Sequence, residues 1–418
     1  MNFQTEIRNP KSQIVVVGAG PAGASIAIRL AKSGFEVALV EREKFPRAKL
    51  CGEFISPECL PHFRELGVLD EMLAAGGERV RETVFFAPNG RSVAVPSAWF
   101  GSALGALGLS RAEMDFRLLE RARKSGVRVL EETQVTGVLL ENEEARGVKV
   151  KTKTGETREI AADLTIDATG RANVLGKLVE KSRRREEGNG GRSNAFSIRN
   201  QKSEIRNRLV GFKAHLKNAR LERGRCEIYF FRGGYGGLSY VENDLANHCF
   251  LVRAEAVKKY IGQTNLLVEE VIYENKRARA AMANAAVVTD WLAVSVEGFG
   301  LKKLNPTGNL FAVGDAAAFI DPFTGSGMLM ALESAELLAA AIAENRFSPA
   351  RAAADYNLNF QRKFQKRLRL CALMRRAAFV PNLAETIISV LSLSRTARAL
   401  VARATRRSDV IKKSNVKL

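Results

Sequence analysis

Two short stretches carry residue types at spacings that do chemistry. In IVVVGAGPAGASIAIRLAKSGFEVALVERE, Gly18-x-Gly20-x-x-Gly23 is followed after 17 residues by Glu41. Gly18 permits a tight turn, Gly20 lets a pyrophosphate approach the backbone, and Gly23 lets a helix pack closely on a strand. The N-terminus of that helix offers free N–H groups and partial positive charge to phosphates. Glu41 stands where a carboxylate accepts hydrogen bonds from adenosine ribose hydroxyls. This loop, with Ala22 and Arg42 beside its key residues, predicts a dinucleotide site without choosing between NAD and FAD.

The second stretch, NLFAVGDAAAFIDPFTGSGMLMALESAELLAAAI, makes that choice. An apolar strand ends in Gly314-Asp315, then come Pro322 and Gly325-Ser326-Gly327, then a long apolar helix. An aspartate at a strand end can hold a polyol chain, and the glycine turn lets backbone approach a flat ring. The positive end of the helix suits the negative charge of a reduced flavin. NAD has no ribityl chain, so the two loops together predict FAD.

A third stretch, KLCGEFISPE, holds Cys51, Gly52 and Glu53, with Cys59 one residue beyond. The C-x7-C spacing is not the C-x-x-C of a dithiol or zinc knuckle, and by itself leaves redox pair, metal site and cofactor loop open. His62, His215 and His248 lie far apart, which argues against a histidine-rich metal site, and no metal is expected. Glu53 is a candidate acid or base if buried. Tyr235, within what reads as a glycine turn, RGGYGG, is a candidate cavity residue.

These residues need elements to hold them. Strands are expected at 14–17 and 37–40 around a helix at 21–33, and a hairpin at 83–95 around Pro88-Asn89-Gly90. A helix is expected at 111–125, short strands near 127–130, 135–140, 147–151 and 163–167, and several strands with glycine turns over 209–253. Helices are expected at 263–284 and 326–345, and basic helices over 351–407 broken at Pro381. The expected fold class is α/β (α+β overall): a Rossmann-like FAD-binding domain with an inserted antiparallel-sheet substrate domain and a helical C-terminal region. The expected boundaries are 13–80, 105–180 and 285–345 for the FAD-binding domain, 81–104 and 209–284 for the substrate domain, and 346–418 for the basic helical region. Residues 181–208 read as a flexible insertion. Within it, Ile198–Ile205 echoes Ile7–Ile14, and two copies do not make a solenoid.

The formal charge of the 418-residue chain is +20. Residues 346–418 hold 17 Lys/Arg against 3 Asp/Glu, and residues 181–208 hold 9 against 3, so these two segments account for all of it. The core therefore carries no demand for nucleic acid, and none is expected as a partner. The basic C-terminal region, with apolar Phe379, Val380, Leu383, Ile387, Ile388 and Leu391, either packs its apolar face on the FAD-binding domain or lies on an anionic membrane. No uninterrupted apolar run is long enough to span a bilayer, the polar N-terminal stretch does not read as a signal peptide, and five scattered cysteines suit a reducing cytoplasm. The localisation expected is cytoplasmic, with peripheral membrane contact open.

Taken with Arg111 and Asp115 in LSRAEMDFRLLERA and Ala168-Thr169-Gly170 in DLTIDATGR, the two glycine loops resemble the FAD-dependent oxidoreductases of the glutathione-reductase-2 type. These include geranylgeranyl reductases, p-hydroxybenzoate-hydroxylase-like monooxygenases and flavin-dependent halogenases. The resemblance runs over about 13–345, and FPRAKLCGEFISPE is most similar to the geranylgeranyl reductase loop that lies against flavin and substrate. It implies that Cys51 and Gly52 line the flavin pocket, that Arg111 reaches the FAD phosphates or ribityl group, and that backbone at Val135 contacts adenine. Asp315 would bind ribityl, and Gly325 and Gly327 the pyrimidine side of the ring. The chain departs from relatives at Glu53, where they carry glycine, and at Ser326, where they often carry glutamate. The halogenase W-x-W-x-I-P segment is absent, which argues against halogenation. The reading is C=C reduction of an apolar or aromatic small molecule by reduced FAD, with NAD(P)H as a transient reductant. Hydroxylation of an aromatic or quinone-like substrate is the alternative, and a non-catalytic membrane-surface FAD-fold protein the second alternative.

Overall fold

The computed structural model describes residues 12–100, 104–186, 208–322, 325–346, 348–379 and 383–404. Its first layer grows from β-branched runs that lack polar alternation and are therefore buried on both faces. Strand Ser12–Val17 pairs in parallel with Val37–Val40 on one side and Thr157–Asp167 on the other, and Arg128–Leu130 and Leu310–Ala312 extend the parallel sheet. The first half of Thr157–Asp167 turns away to pair antiparallel with Glu144–Thr152, which pairs with Thr133–Glu141. Helices Pro21–Lys32, Arg111–Lys124 and Gly327–Glu344 pack on one face of the parallel sheet, while the antiparallel strands and helix Val174–Glu186 close the other.

The second layer is an eight-stranded sheet in which Ser92–Pro96, Glu82–Phe86, Arg225–Phe231, Gly234–Tyr240, Ala246–Arg253 and Leu209–Lys217 follow one another. Ala286–Val287 and Leu292–Val296 both pair with Leu209–Lys217. Residues 286–296, expected in the FAD-binding domain, therefore belong to this second sheet, whose other strands are the segments expected as the substrate domain and which is called the substrate sheet on that expectation. The period of two assigns its faces. Phe212, Leu216, Tyr229 and Phe250 pack against helices Thr264–Val271 and Lys276–Met282, whereas Leu209, Phe230, Tyr235 and Leu251 face back toward the first layer.

Two further expectations change. The RGGYGG stretch turns only at Arg232-Gly233, and Tyr235 is the second residue of a strand. A strand serves here because Gly236 lies so near Phe250 that a Cβ would come within 2.8 Å of that side chain, a closeness only glycine permits. The expected insertion begins later than 181, because Val174–Glu186 is one helix; its remainder, including the second copy of the internal repeat, lies outside the described residues.

The C-terminal region forms helices Pro349–Ala378, Leu383–Leu393 and Arg395–Ala404. The first is anchored by Tyr356, Phe360 and Phe364, all buried, and the Tyr356 hydroxyl donates to Ala312 O at 2.8 Å. Phe360 lies 5.6 Å from the Tyr356 ring and 4.6 Å from that of Phe364. Phe360→Ala should therefore destabilise the protein by about 3–5 kcal/mol, and denaturant unfolding showing less than about 1 kcal/mol would mean that this helix is not part of the core.

Candidate active site

Both glycine loops open onto one cavity of about 1980 Å³ between the two layers. The first loop is built by close backbone approach. Gly18 has φ +100°, and a Cβ on it would lie 2.5 Å from Ala168 O; a Cβ on Gly23 would lie 1.8 Å from Gly18 O. Helix Pro21–Lys32 has no side-chain cap at Gly20, so its first N–H groups remain turned to the cavity. Glu41, buried at the end of its strand, accepts from Ala19 N at 2.8 Å and Glu43 N at 3.1 Å. Arg42 and Val135 also line the cavity, Arg42 with a mostly exposed side chain beside Glu43.

Arg111 begins its helix and turns its guanidinium back toward Gly20. Asp115 holds it with two bonds, from Nε at 2.9 Å and Nη2 at 2.7 Å, and Arg47 adds a third at 3.1 Å. Against the cost of burial, the Asp115 charge raises the Arg111 pKa, so the cation is fixed. A Cβ on Gly20 would lie 3.8 Å from Arg111 Nη2, in the space between loop and guanidinium. A bare glycine facing a fixed cation and a helix N-terminus is the donor set that a pyrophosphate requires, so the residues present fit FAD.

The second loop meets the first directly. Gly314 has φ +59°, and a Cβ there would lie 2.8 Å from Ala22 Cβ. Asp315, Pro322, Gly325 and Gly327 all line the cavity. Enclosure pushes the Asp315 carboxyl above its ordinary value against the pull of Lys49, Arg171 and Arg111. Lys49, which the motifs did not single out, extends into the same space. The enclosing walls, with Arg111 and Arg47 nearby, push its amino group down to about 8. Asp167 lies outside the cavity: its carboxylate accepts from Leu175 N at 3.0 Å and orders the start of helix Val174–Glu186.

The Cys51–Glu53 stretch passes between the cofactor end and the substrate sheet. Cys51 lines the cavity and interacts with Arg111, and its carbonyl accepts from Asn247 Nδ2 at 3.2 Å. All five cysteines are free thiols, and Cys59 is buried in helix Cys59–Leu66. Glu53 takes φ +53°, the left-handed backbone that glycine adopts easily. Its fully buried carboxylate is surrounded by donors: Lys213 Nζ, His215 Nε2 at 2.7 Å and Arg111 N at 2.8 Å. Burial alone would raise its pKa, but His215 and Lys213 overcome that and hold it below the ordinary value. A carboxylate so saturated is ionised and has little capacity to take a proton, so Glu53 reads as an anchor. Lys213 and His215, two apart on one strand, were legible as a polar alternation in FKAHLK; their shared partner was not.

Tyr235 faces the cavity and donates to Asp321 Oδ1 at 2.6 Å, joining the substrate sheet to the second glycine loop. Beyond it the walls turn apolar, with Phe85, Val93, Val95, Phe230, Leu251, Phe299, Phe319, Phe379, Ile388 and Leu391.

A family model described as FAD binding domain matches residues 11–351. The chain is 27% identical over 345 residues to menaquinone reductase of Mycolicibacterium smegmatis, covering 79% of this chain and 76% of that protein. It is 27% identical over 365 residues to digeranylgeranylglycerophospholipid reductase 1 of Methanococcoides burtonii, covering 85% and 79%. It is 26% identical over 350 residues to tryptophan 2-halogenase of Chondromyces crocatus, covering 79% of this chain but only 61% of the halogenase. Among solved structures, a geranylgeranyl bacteriochlorophyll reductase-like protein of Thermoplasma acidophilum superposes with TM-score 0.75 at 19% identity, over 96% of this chain and 98% of that one.

Two outcomes follow from the geometry. Asp315→Ala and Gly20→Val should each yield folded protein with FAD affinity reduced roughly ten-fold or more, the size of a lost charge-assisted contact; visible absorbance per polypeptide reports it, and unchanged flavin content would sink the assignment. Glu53→Gln leaves Lys213 buried without its charged partner and should cost about 3–5 kcal/mol. Since the folded pKa of Glu53 lies below the unfolded value of about 4.3, its contribution is present above that pH and lost as pH falls through the depressed value. Unfolding measured against pH should show that acid slope in the wild type and a shallower one in Glu53→Gln.

Proposed function

Because this chain belongs to the family of FAD binding domains, whose model covers most of its length, we propose that it is an FAD-dependent oxidoreductase that reduces a C=C bond of a predominantly apolar molecule. One observation carries the reading: a single cavity has a glycine-and-cation cradle at one end and a long aromatic and aliphatic wall at the other. Bound FAD would supply the hydride, and the protein supplies binding, orientation and exclusion of water. The reductases among its relatives, named for a quinone and an isoprenoid lipid, support an elongated substrate.

Within this reading the residues divide by place. Arg111, held by Asp115, and Asp315 bind the cofactor. Cys51 and Tyr235 contact the substrate where the two ends of the cavity join, and Tyr235 is oriented by Asp321. Glu53 positions the Cys51 loop through Lys213 and His215 and takes no part in proton transfer. The chain carries a single Gly-x-Gly-x-x-Gly loop, so NAD(P)H is read as a visiting reductant with no stored second dinucleotide.

The test is anaerobic. Protein reconstituted with FAD and reduced by dithionite should be reoxidised by a polyprenyl-bearing quinone or lipid, with product heavier by two hydrogens for each bond reduced. Reoxidation that needs O2, with a product heavier by one oxygen atom, would replace this reading with hydroxylation. No reoxidation by any apolar acceptor or by O2 with substrate would leave a binding protein on a flavin fold.

A further inference from the structure

The apolar end of the cavity does not close under the substrate sheet. It is walled by helices Leu383–Leu393 and Arg395–Ala404, which lie along strand Ser92–Pro96. Helix Leu383–Leu393 is apolar on two sides. Ile388 is buried and joins Phe85, Val93, Phe319 and Phe379 in the cavity wall. On its other side Val390 is 58% and Leu393 87% exposed, and on the next helix Leu400 is 70% exposed. Ile387 and Val401 belong to both surfaces: each lines the cavity and each is 39% exposed. The cavity lining thus continues through Ile387 and Val401 onto the outer face of these helices, beside Arg398, whose guanidinium is turned to Ala94 O at 3.4 Å. Exposed leucines grouped on one face mark an interaction site.

Charge selects the occupant. The preceding helix, Pro349–Ala378, presents exposed Arg362, Lys366, Arg369 and Leu373 at spacings of four, three and four, which puts them on one side. Arg395 is exposed at the start of helix Arg395–Ala404, and Arg91 Nη1 donates to Ser389 Oγ at 3.0 Å on the same wall. Over residues 349–404 there are 11 Lys/Arg against Asp355 and Glu385. A second copy of so basic a face would repel itself, whereas apolar residues amid arginines and lysines suit the boundary of an anionic bilayer. No described helix is long and apolar enough to cross a membrane, so the contact would be peripheral.

We propose that the outer face of helices Leu383–Leu393 and Arg395–Ala404, with the basic side of helix Pro349–Ala378, docks on anionic lipid bilayers and sets the mouth between Ile387 and Val401 against the acyl region, so that an apolar substrate enters the cavity from the membrane. The docking stands on the surface alone; the entry of substrate rests on the function proposed above.

The test uses full-length flavin-loaded protein and vesicles of phosphatidylcholine with or without phosphatidylglycerol. Binding should appear only with the anionic lipid and weaken as salt rises. Leu393→Asp with Leu400→Asp, two residues that do not line the cavity, should lower vesicle affinity by roughly ten-fold or more. The same variant should keep its flavin content and its turnover of substrate delivered in cyclodextrin, and lose turnover of substrate held in vesicles. Equal binding to neutral and anionic vesicles, no binding to either, or a wild-type dimer that the variant converts to monomer would each overturn the docking. Vesicle binding without turnover of any polyprenyl substrate would leave the docking intact and sink the function.

Discussion

The carboxylate of Glu53 receives bonds from Lys213 and His215 on the substrate sheet and from the backbone N–H of Arg111 at the start of a helix in the first layer. It thereby ties three elements far apart in the chain, at the point where the cofactor end of the cavity gives way to the substrate end. A buried carboxylate is costly unless it is paired and hydrogen-bonded, and here both conditions hold. The left-handed backbone of Glu53 turns its side chain toward the sheet and leaves Cys51 and Gly52 on the cavity side. Substrate-sheet position, loop path and the start of the Arg111 helix are therefore one constraint.

The cofactor end follows a similar electrostatic logic. Arg111 is pinned by Asp115, enclosure pushes Lys49 toward neutrality, and enclosure pushes the Asp315 carboxyl up against the pull of several cations. A pocket so arranged keeps a fixed positive charge beside the first glycine loop and an adjustable balance beside the second. A cofactor with a doubly charged pyrophosphate and an uncharged polyol answers both parts. The glycines explain why its backbone can come close; the pinned guanidinium explains why its charge is tolerated out of bulk water.

The C-terminal helices decide the form of the other end. Without Phe379, Ile388 and Leu391 the apolar wall of the substrate sheet would face solvent over Phe85, Val93 and Phe230. Their packing covers much of that sheet face and leaves the cavity open at its end, and the residues left outside form the basic and apolar face. Of the two readings of this region at the sequence level, packing against the body is seen on the inner side of the short helix, and meeting a membrane is the proposal made for its outer side.

Much of this was legible in the chain. The glycine spacings, Glu41, Gly314-Asp315 and the β-branched runs specify local backbone, and local backbone is what short-range sterics and periodicity determine. For the same reason the expected strands and helices of the first layer lie within about three residues of those observed, except that strand Thr157–Asp167 begins well before its expected start at 163. Tyr235 lines the cavity as expected, but from a strand, because a run of glycines reads as a turn when nothing shows that the neighbouring strand approaches too closely for side chains. Residues 286–296 were misassigned because strand pairing over long separations leaves no local trace. The role of Glu53 depended on Lys213 and His215, some 160 residues away, arriving on the correct face of a strand. The sequence alone settled which backbone segments can cradle a dinucleotide, since that depends on side chains that are missing. Which charges neutralise one another, and which apolar faces meet, was decided only by tertiary structure, because both depend on distances that the chain sets by folding.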